Sequence, residues 1–530
     1  MRETFVGTWA LVRLGVRRDR WSLPVWVLVL AGMAGSAASA VAGVYPDKAS
    51  RVEAANVFNA TASVVAMFGR VYDPTSIGAL AMIKYTAFMA AAVAVVMVIF
   101  TVRHTRGEEE TGRLELVSGG RLGRNAPLTA ALIITFGASL ALGVATAFAL
   151  VAAGLPTEGS WAFGLGWAAV GMTFSAIAAV GAQIANSART ATGFGTIAIA
   201  AAYLLRAAGD LATPGPSVLS WLSPIGWNQQ IRAYAGDRFW VLAFPVALCV
   251  VFVPVAFVLR GRRDLGSGMR ADRRGPATGR LSTVGGLAVR LQDRVFAAWA
   301  ATVVVFGLLI GSLVNTVNDF LSSSIAQDLI KKLGGTTILV DAFLAAEISI
   351  LGLIVAAYGL AAANRLRSEE TVGHTEAILG TAATRLRWAT SHVLAALGGV
   401  AALMLLAGLS IGTGAAVALK DWSQVWPITL ATLASVPAAW VVVSLVVAAF
   451  GWVPRLTGAV WGVLFAFIAL GEFGVLWHAP QWLMDLSPFQ HSPRMPLDSG
   501  AVTPVVFLTL VAAALTAFGY VGWRRRDLAP

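Results

Sequence analysis

The chain has 530 residues, 57% of them apolar and only 12% charged, with a formal net charge of +12. That apolar excess excludes a soluble globular protein and makes the bilayer the solvent for most of the chain. The single cysteine, Cys249, excludes an intrachain disulfide, and the five histidines (His104, His374, His392, His478 and His491) lack metal-ligand spacing.

The first element is a basic amphipathic stretch, residues 3–20. Its apolar stripe (Phe5, Trp9, Val12, Val16) suits the lipid interface, and its arginines suit water and lipid phosphates. Six apolar spans follow at 22–44, 78–101, 127–153, 161–183, 191–209 and 239–259, each long enough for roughly 30 Å of hydrocarbon. Residues 260–280, rich in Arg and Gly, read as a cytoplasmic linker. A second basic amphipathic stretch, 281–294, leads into spans at 296–314, 342–363, 388–411, 426–450, 457–474 and 501–523. The expectation is an all-α membrane protein of twelve transmembrane helices, with domains 1–259 and 281–530. The first apolar run is full length and follows a long basic stretch, so no cleavable signal peptide is evident.

Orientation follows from the arginines. With both termini cytoplasmic, the inside segments hold 28 of the 39 basic residues, which sets the topology by the positive-inside rule. The same bias explains the net positive charge without a nucleic-acid partner. Arg outnumbers Lys heavily in a chain rich in Ala, Gly and Val. That usage points to a GC-rich, actinobacterial-type genome and a bacterial plasma membrane.

Several landmarks occur twice. Glu108-Glu109-x-x-Gly112-x-x-Glu115, after span 2, returns as Glu369-Glu370-x-x-Gly373-x-x-Glu376, after span 8; Arg106 and Arg367 precede them. Leu222-Ser223-Pro224 and Leu486-Ser487-Pro488 precede the last span of each half, and Arg262-Arg263-Asp264-Leu265 and Arg525-Arg526-Asp527-Leu528 follow it. Matched landmarks at half the chain length predict duplication and fusion, with two parallel halves of six spans. In a continuous helix Glu108, Gly112 and Glu115 would share one face, the glycine leaving room for a partner. The plain reading of one copy is a solvated loop whose acids pair with Arg103, Arg106, Arg113, Arg121 and Arg124. Two copies in equivalent loops favour docking to a two-fold soluble partner.

With these features the chain resembles the fused membrane subunits of ABC exporters of the ABC-2 type, especially actinobacterial permeases of the tetronasin and polyketide-antibiotic kind. The resemblance covers the whole chain and implies a type V-like exporter architecture. It implies that Glu108, Glu109, Gly112, Glu115, Glu369, Glu370, Gly373 and Glu376 belong to coupling loops (102–126 and 364–387) contacting a separate ATPase. It also implies that the Leu-Ser-Pro segments form short re-entrant elements of an outer gate. The residues after the prolines differ, Ile225-Gly226-Trp227 against Phe489-Gln490-His491, which puts an exact two-fold gate in doubt.

No Gly-x-x-x-x-Gly-Lys-Ser/Thr phosphate loop occurs anywhere, so this chain is not expected to bind ATP and Mg itself. The expected partners are two copies of a separate ATPase, the bilayer and a hydrophobic small molecule, in a drug- or antibiotic-exporting complex. An exporter of a lipid or cell-envelope precursor fits the apolar spans as well. An ion-coupled twelve-span secondary transporter is the other alternative, and it needs a titratable site within the membrane. Lys84 and Glu347, at near-equivalent depths in spans 2 and 8, are the candidates. Either they face each other or a shared cavity, or each snorkels separately to the outer interface. Outer segments with helical patterning, 51–70 and 319–333, are candidates for a lid.

Overall fold

The computed structural model describes residues 2–118, 122–212, 216–264, 268, 281, 283–314, 336–473, 480–493 and 502–527. The chain divides into two compact units, Met1–Gly275 and Pro276–Pro530. Both are helical throughout the described residues. The division falls within 260–280, most of which lies outside the described residues, as does 319–333.

The first unit begins with α1 (Thr8–Arg18) and the apolar α2 (Ser22–Val44). Two helices, α3 (Lys48–Ala60) and α4 (Ala62–Phe68), precede a broken helix made of α5 (Ile77–Ala81), a π-helical turn at Tyr85–Met89 and α6 (Ala90–His104). Two short helices, α7 (Arg106–Glu110) and α8 (Arg113–Ser118), lead to α9 (Ala126–Ala152), α10 (Thr157–Ile184) and α11 (Ala188–Leu211). The short α12 (Val218–Trp221) and α13 (Pro224–Gln230) then precede α14 (Ala243–Gly261). The centre of this unit is α10, which packs against α6, α9, α11 and α14. Glycines permit the closest crossing, since a Cβ on Gly143 of α9 or Gly164 of α10 would collide with the other's carbonyl oxygen.

The second unit contains α15 (Val284–Arg290), α16 (Asp293–Ser312), α17 (Thr336–Ala363) and the short α18 (Arg365–Thr371) and α19 (His374–Leu379). These are followed by α20 (Arg385–Leu419), α21 (Val425–Ala434), α22 (Val436–Trp452), α23 (Val460–Phe473), α24 (Gln481–Met484) and α25 (Val502–Arg525). Here α20 packs on α16, α17 and α21, while α22 packs on α17 and α25. Gly451 and Gly519 bring the backbones of α22 and α25 together as Gly143 and Gly164 do in the first unit. The span expected over 426–450 is divided between α21 and α22 around Ser435. Pro437, in the first turn of α22, has no N–H for the preceding helix to accept.

Among the described residues eleven helices are long and apolar enough to cross a membrane. The twelfth expected span, 457–474, falls on a 3-10 turn, Pro454–Ala459, continued by α23, whose last described residue is Phe473.

The N-terminal amphipathic stretch is divided differently from the expectation. Val12 and Gly15 are buried, and Val12 packs with Ala130 and Ile134 of α9, whereas Phe5, Trp9 and Val16 stay exposed. Its stripe therefore serves two surfaces, the protein on one side and an exposed apolar edge on the other, where Phe5 meets Phe257 edge to face.

Candidate functional site

The chain leaves the apolar α6 through a broken turn at Thr105 (φ −116°, ψ −90°) and re-forms α7. Gly112, at φ 67°, then ends α7 in the left-handed region and starts α8. In the second unit Gly373, at φ 83°, separates α18 from α19 in the same way. Each acidic motif is therefore a helix–turn–helix elbow rather than one continuous face. An added Cβ would meet nothing within 4 Å at either glycine. Their positive φ, which costs a glycine little, is the structural reason for that residue type.

The two adjacent acids of each motif have different environments. In the first unit Glu109 is buried at the centre of an arginine cluster. Arg106 Nη1 donates to its Oε2 at 2.6 Å, and Arg263 donates to both oxygens, Nη1 to Oε2 at 2.8 Å and Nη2 to Oε1 at 2.6 Å. Arg260 stands 3.5 Å from Oε1. Arg106 also donates to the carbonyl of Ala185 and Arg263 to Gln183 at the end of α10, while Glu110 accepts from the backbone N–H of Ala188 at the start of α11. The elbow is thus clamped to α10, α11 and the end of α14. Glu108 turns instead to Arg18 of α1 and to Arg113.

The second unit repeats the core of this arrangement. Arg526 holds Glu370 with Nη1 to Oε1 at 2.6 Å and Nη2 to Oε2 at 2.8 Å, and Arg367 adds a contact to Oε2 at 3.3 Å. The Arg526 guanidinium also lies over the rings of Trp523 and Phe450, 4.7 and 4.8 Å from their centres. Glu369 pairs with Arg365 at 2.8 Å and with His374 at 2.9 Å.

The two repeated motifs, acidic and Arg-Arg-Asp, therefore meet each other in both units. Local pairing, the expectation for the loop acids, holds for Arg106 and Arg113, but the bidentate partner lies 154 residues away for Glu109 and 156 for Glu370. A third recurring pair supports the same junction. Arg124 donates to the backbone carbonyl of Arg263 at 3.3 Å, and Arg385 to that of Arg526 at 2.8 Å. The equivalence of Arg124 and Arg385 was hidden by the unlike sequences around them, although both stand fifteen residues beyond the buried glutamate.

The remaining acids are exposed. Glu110 and Glu115 in the first elbow, and Glu376 in the second, lie at the surface beside exposed Leu116 and Val372. Each elbow thus presents an acidic outer surface while an inner carboxylate ties it to the last helix of its unit. His104, beyond the reach of Glu108, bonds Asp19 through Nε2 at 2.6 Å, which joins the end of α1 to the end of α6.

The other candidate residues fall elsewhere. Lys84 is helical and stands directly before the π-helical turn Tyr85–Met89 that leads into α6. Its side chain is exposed and its ammonium sits 5.8 Å from the centre of the Phe68 ring. Glu347 is half-buried within α17. Of the Leu-Ser-Pro segments, Ser223 is fully buried, caps α13 by accepting from Gly226 N and donates to the carbonyl of Ala202. Ser487 is also buried but caps no helix, and Pro488 opens a single 3-10 turn, Pro488–His491. Leu222 and Leu486 are exposed.

Arg206 and Asp210, which the sequence offers as an internal pair at the end of span 5, sit in a buried junction at the far end of α11. Arg206 donates to the carbonyls of Val65, Ala66 and Met67 and pairs with Asp210 at 3.3 Å, while Ser220 bonds Asp210 at 2.7 Å. The three carbonyls belong to the last turn of α4, where the backbone has more acceptors than intrahelical donors.

Residues 281–524 match a family model described as the C-terminal domain of the multidrug efflux system permease Rv1217c. Over 529 residues, 99% of this chain and 96% of the relative, the sequence is 39% identical to the multidrug efflux system permease protein Rv1217c of Mycobacterium tuberculosis (strain ATCC 25618 / H37Rv). The chain, an integral membrane protein of long apolar helices, belongs to the family of multidrug efflux system permeases.

Proposed function

We propose that this permease is the membrane subunit of an ATP-driven exporter of the ABC-2 type, moving hydrophobic or amphipathic small molecules out of a bacterial cell. Its two units are read as duplicated halves, each offering one elbow to one copy of a separate ATPase. ATP and Mg belong to that partner. The observation that carries the reading is the elbow itself, found once in each unit. Exposed acids form its outer surface, and a buried glutamate is held by the arginine that follows the unit's last long helix.

That division of labour assigns roles within the motif. Glu115 and Glu376 are placed to meet a basic partner surface, with Glu108 and Glu369 pinning the elbow to neighbouring arginines and Glu110 holding the start of α11. Glu109 and Glu370 are positioning residues: a push on α7 or α18 is passed through a bidentate ion pair to α14 or α25. Such a pair constrains both distance and orientation, so it transmits displacement better than a single point charge.

The test is the mass of the intact complex purified gently from native membranes. Two ATPase copies per permease chain are expected. Reversing the exposed pair, Glu115→Lys with Glu376→Lys, should release them while leaving the permease folded. A chain that arrives alone under conditions that preserve other ABC complexes would sink the reading.

A further inference from the structure

A cavity of about 430 Å³ lies beneath α1 in the first unit, between that helix, α8 and the first turns of α9. This is within the range of small-molecule sites, about 300–1,000 Å³. Its walls are apolar, including Leu14, Leu114, Leu116, Leu128, Ala131 and Ile134. Ile134 stands eight residues into α9, about 12 Å along the helix from its start. A soluble protein partner does not reach that depth beside a membrane-crossing helix, whereas a hydrocarbon chain does.

The lining also carries charge, and of one dominant sign. Arg18, Arg113 and Arg260 line the cavity together with Glu108 and Glu109. Glu108 is shared between Arg18 and Arg113, and Glu109 among Arg106, Arg260 and Arg263. Three guanidiniums therefore line the cavity against two carboxylates, leaving an excess of one positive charge. Burial, with the neighbouring Arg103 and Arg113, pulls Arg18 below the ordinary arginine range, as expected for a crowded cationic site. Beside the cavity, Trp9, Leu14 and Val16 of α1 are exposed and continue the apolar surface outward.

We propose that this cavity binds one acyl chain of an anionic phospholipid from the inner leaflet, its phosphate held by Arg18, Arg113 and Arg260. Apolar walls take the chain, and the three lining guanidiniums, which outnumber the two lining carboxylates, take the headgroup. The bound lipid touches α1, α8 and the Glu108–Glu109 pair at once, so it stiffens the elbow from the membrane side. The site uses the orientation set by the arginines but needs no ATPase, and its test stands apart from that of the proposed function.

The full-length permease, delipidated and returned to vesicles of phosphatidylcholine containing palmitoyl-oleoyl phosphatidylglycerol, is examined by native mass spectrometry for retained lipid. Phosphatidylglycerol is expected to be retained in preference to phosphatidylcholine. Ala131→Trp, which fills the cavity, should lose one such molecule per chain. Arg18→Gln with Arg113→Gln, both partly exposed and checked by thermal unfolding, should weaken its retention about tenfold. Equal retention of the two lipids, or unchanged retention in either folded variant, overturns the site. Displacement of the lipid on adding the ATPase subunit overturns it as well, because the protein partner would then be the occupant.

Discussion

Arg263 grips Glu109 with both terminal nitrogens, at 2.6 and 2.8 Å, although 154 residues of chain separate them. Arg526 and Glu370 repeat the contact at the same two distances. A buried carboxylate held by two or more arginines is satisfied only as a set, and removing one member leaves charge uncompensated.

Loss of one partner should therefore destabilise each unit by about 3–5 kcal/mol. The two units should respond differently to exchange of charges. Glu370→Arg with Arg526→Glu should recover much of what either single change loses, since Arg367 touches Glu370 only at the longer 3.3 Å. Glu109→Arg with Arg263→Glu should not recover, because Arg106 and Arg260 remain around the new cation. Thermal unfolding of the six purified variants decides it, and equal rescue in both units would refute the difference.

The elbow glycines are explained by backbone conformation, not by closeness to a neighbour. Gly112→Ala and Gly373→Ala should each cost about 1–2 kcal/mol, the penalty of a left-handed residue with a Cβ. Asn tolerates that region better, so Gly112→Asn and Gly373→Asn should restore most of the melting temperature. If Asn is as damaging as Ala, steric room for a partner is the better explanation.

Arg206 is fully buried with three carbonyls and one carboxylate to satisfy. Arg206→Met should lower stability by several kcal/mol, roughly 3–5, because it strands Asp210 and uncaps α4. Asp210→Asn should be milder, as an amide oxygen can still accept from Ser220. Protease sensitivity within residues 61–70, followed by mass spectrometry, would report the released end of α4. A stable, uncleaved Arg206→Met protein would contradict this account.

Asp237 provides a pH test outside the long helices. Burial raises its carboxyl above the ordinary 3.8, with Glu158 adding to the effect and the bond from Tyr234 N opposing it. The folded state thus binds this proton more tightly than the unfolded one. Its contribution is fully present below pH 3.8 and is lost as pH rises through the higher folded value. Asp237→Asn removes that loss, keeps an acceptor for Tyr234 N and suits the local φ of 40°. Melting temperatures should favour the Asn variant increasingly from pH 4 to pH 7. A difference that stays flat or shrinks over that interval would refute it.

Much of this was legible in the order of residues. The long helices appear where apolar runs exceed the hydrocarbon thickness, and the exceptions have local causes. A proline divides the stretch 426–450, and a π-helical turn at Tyr85–Met89 interrupts the helix of span 2. Both acidic motifs and both Arg-Arg-Asp motifs were visible as repeats. Their meeting was not, because nothing near Glu109 in sequence specifies Arg263.

The sequence by itself determined that the chain lives in a membrane, since hydropathy and length are additive properties of neighbouring residues. It likewise marked which short motifs recur, since identity at a spacing needs no coordinates. Only the tertiary structure decided what those motifs do to one another. The packing of α10 with α6, α11 and α14 brings Arg106, Gln183 and Arg263 to one place. In that enclosure a carboxylate that reads as solvated becomes a buried joint, and a glycine that reads as clearance becomes a hinge of positive φ. Burial and three-dimensional proximity made that difference, and neither is a property of any local stretch of chain.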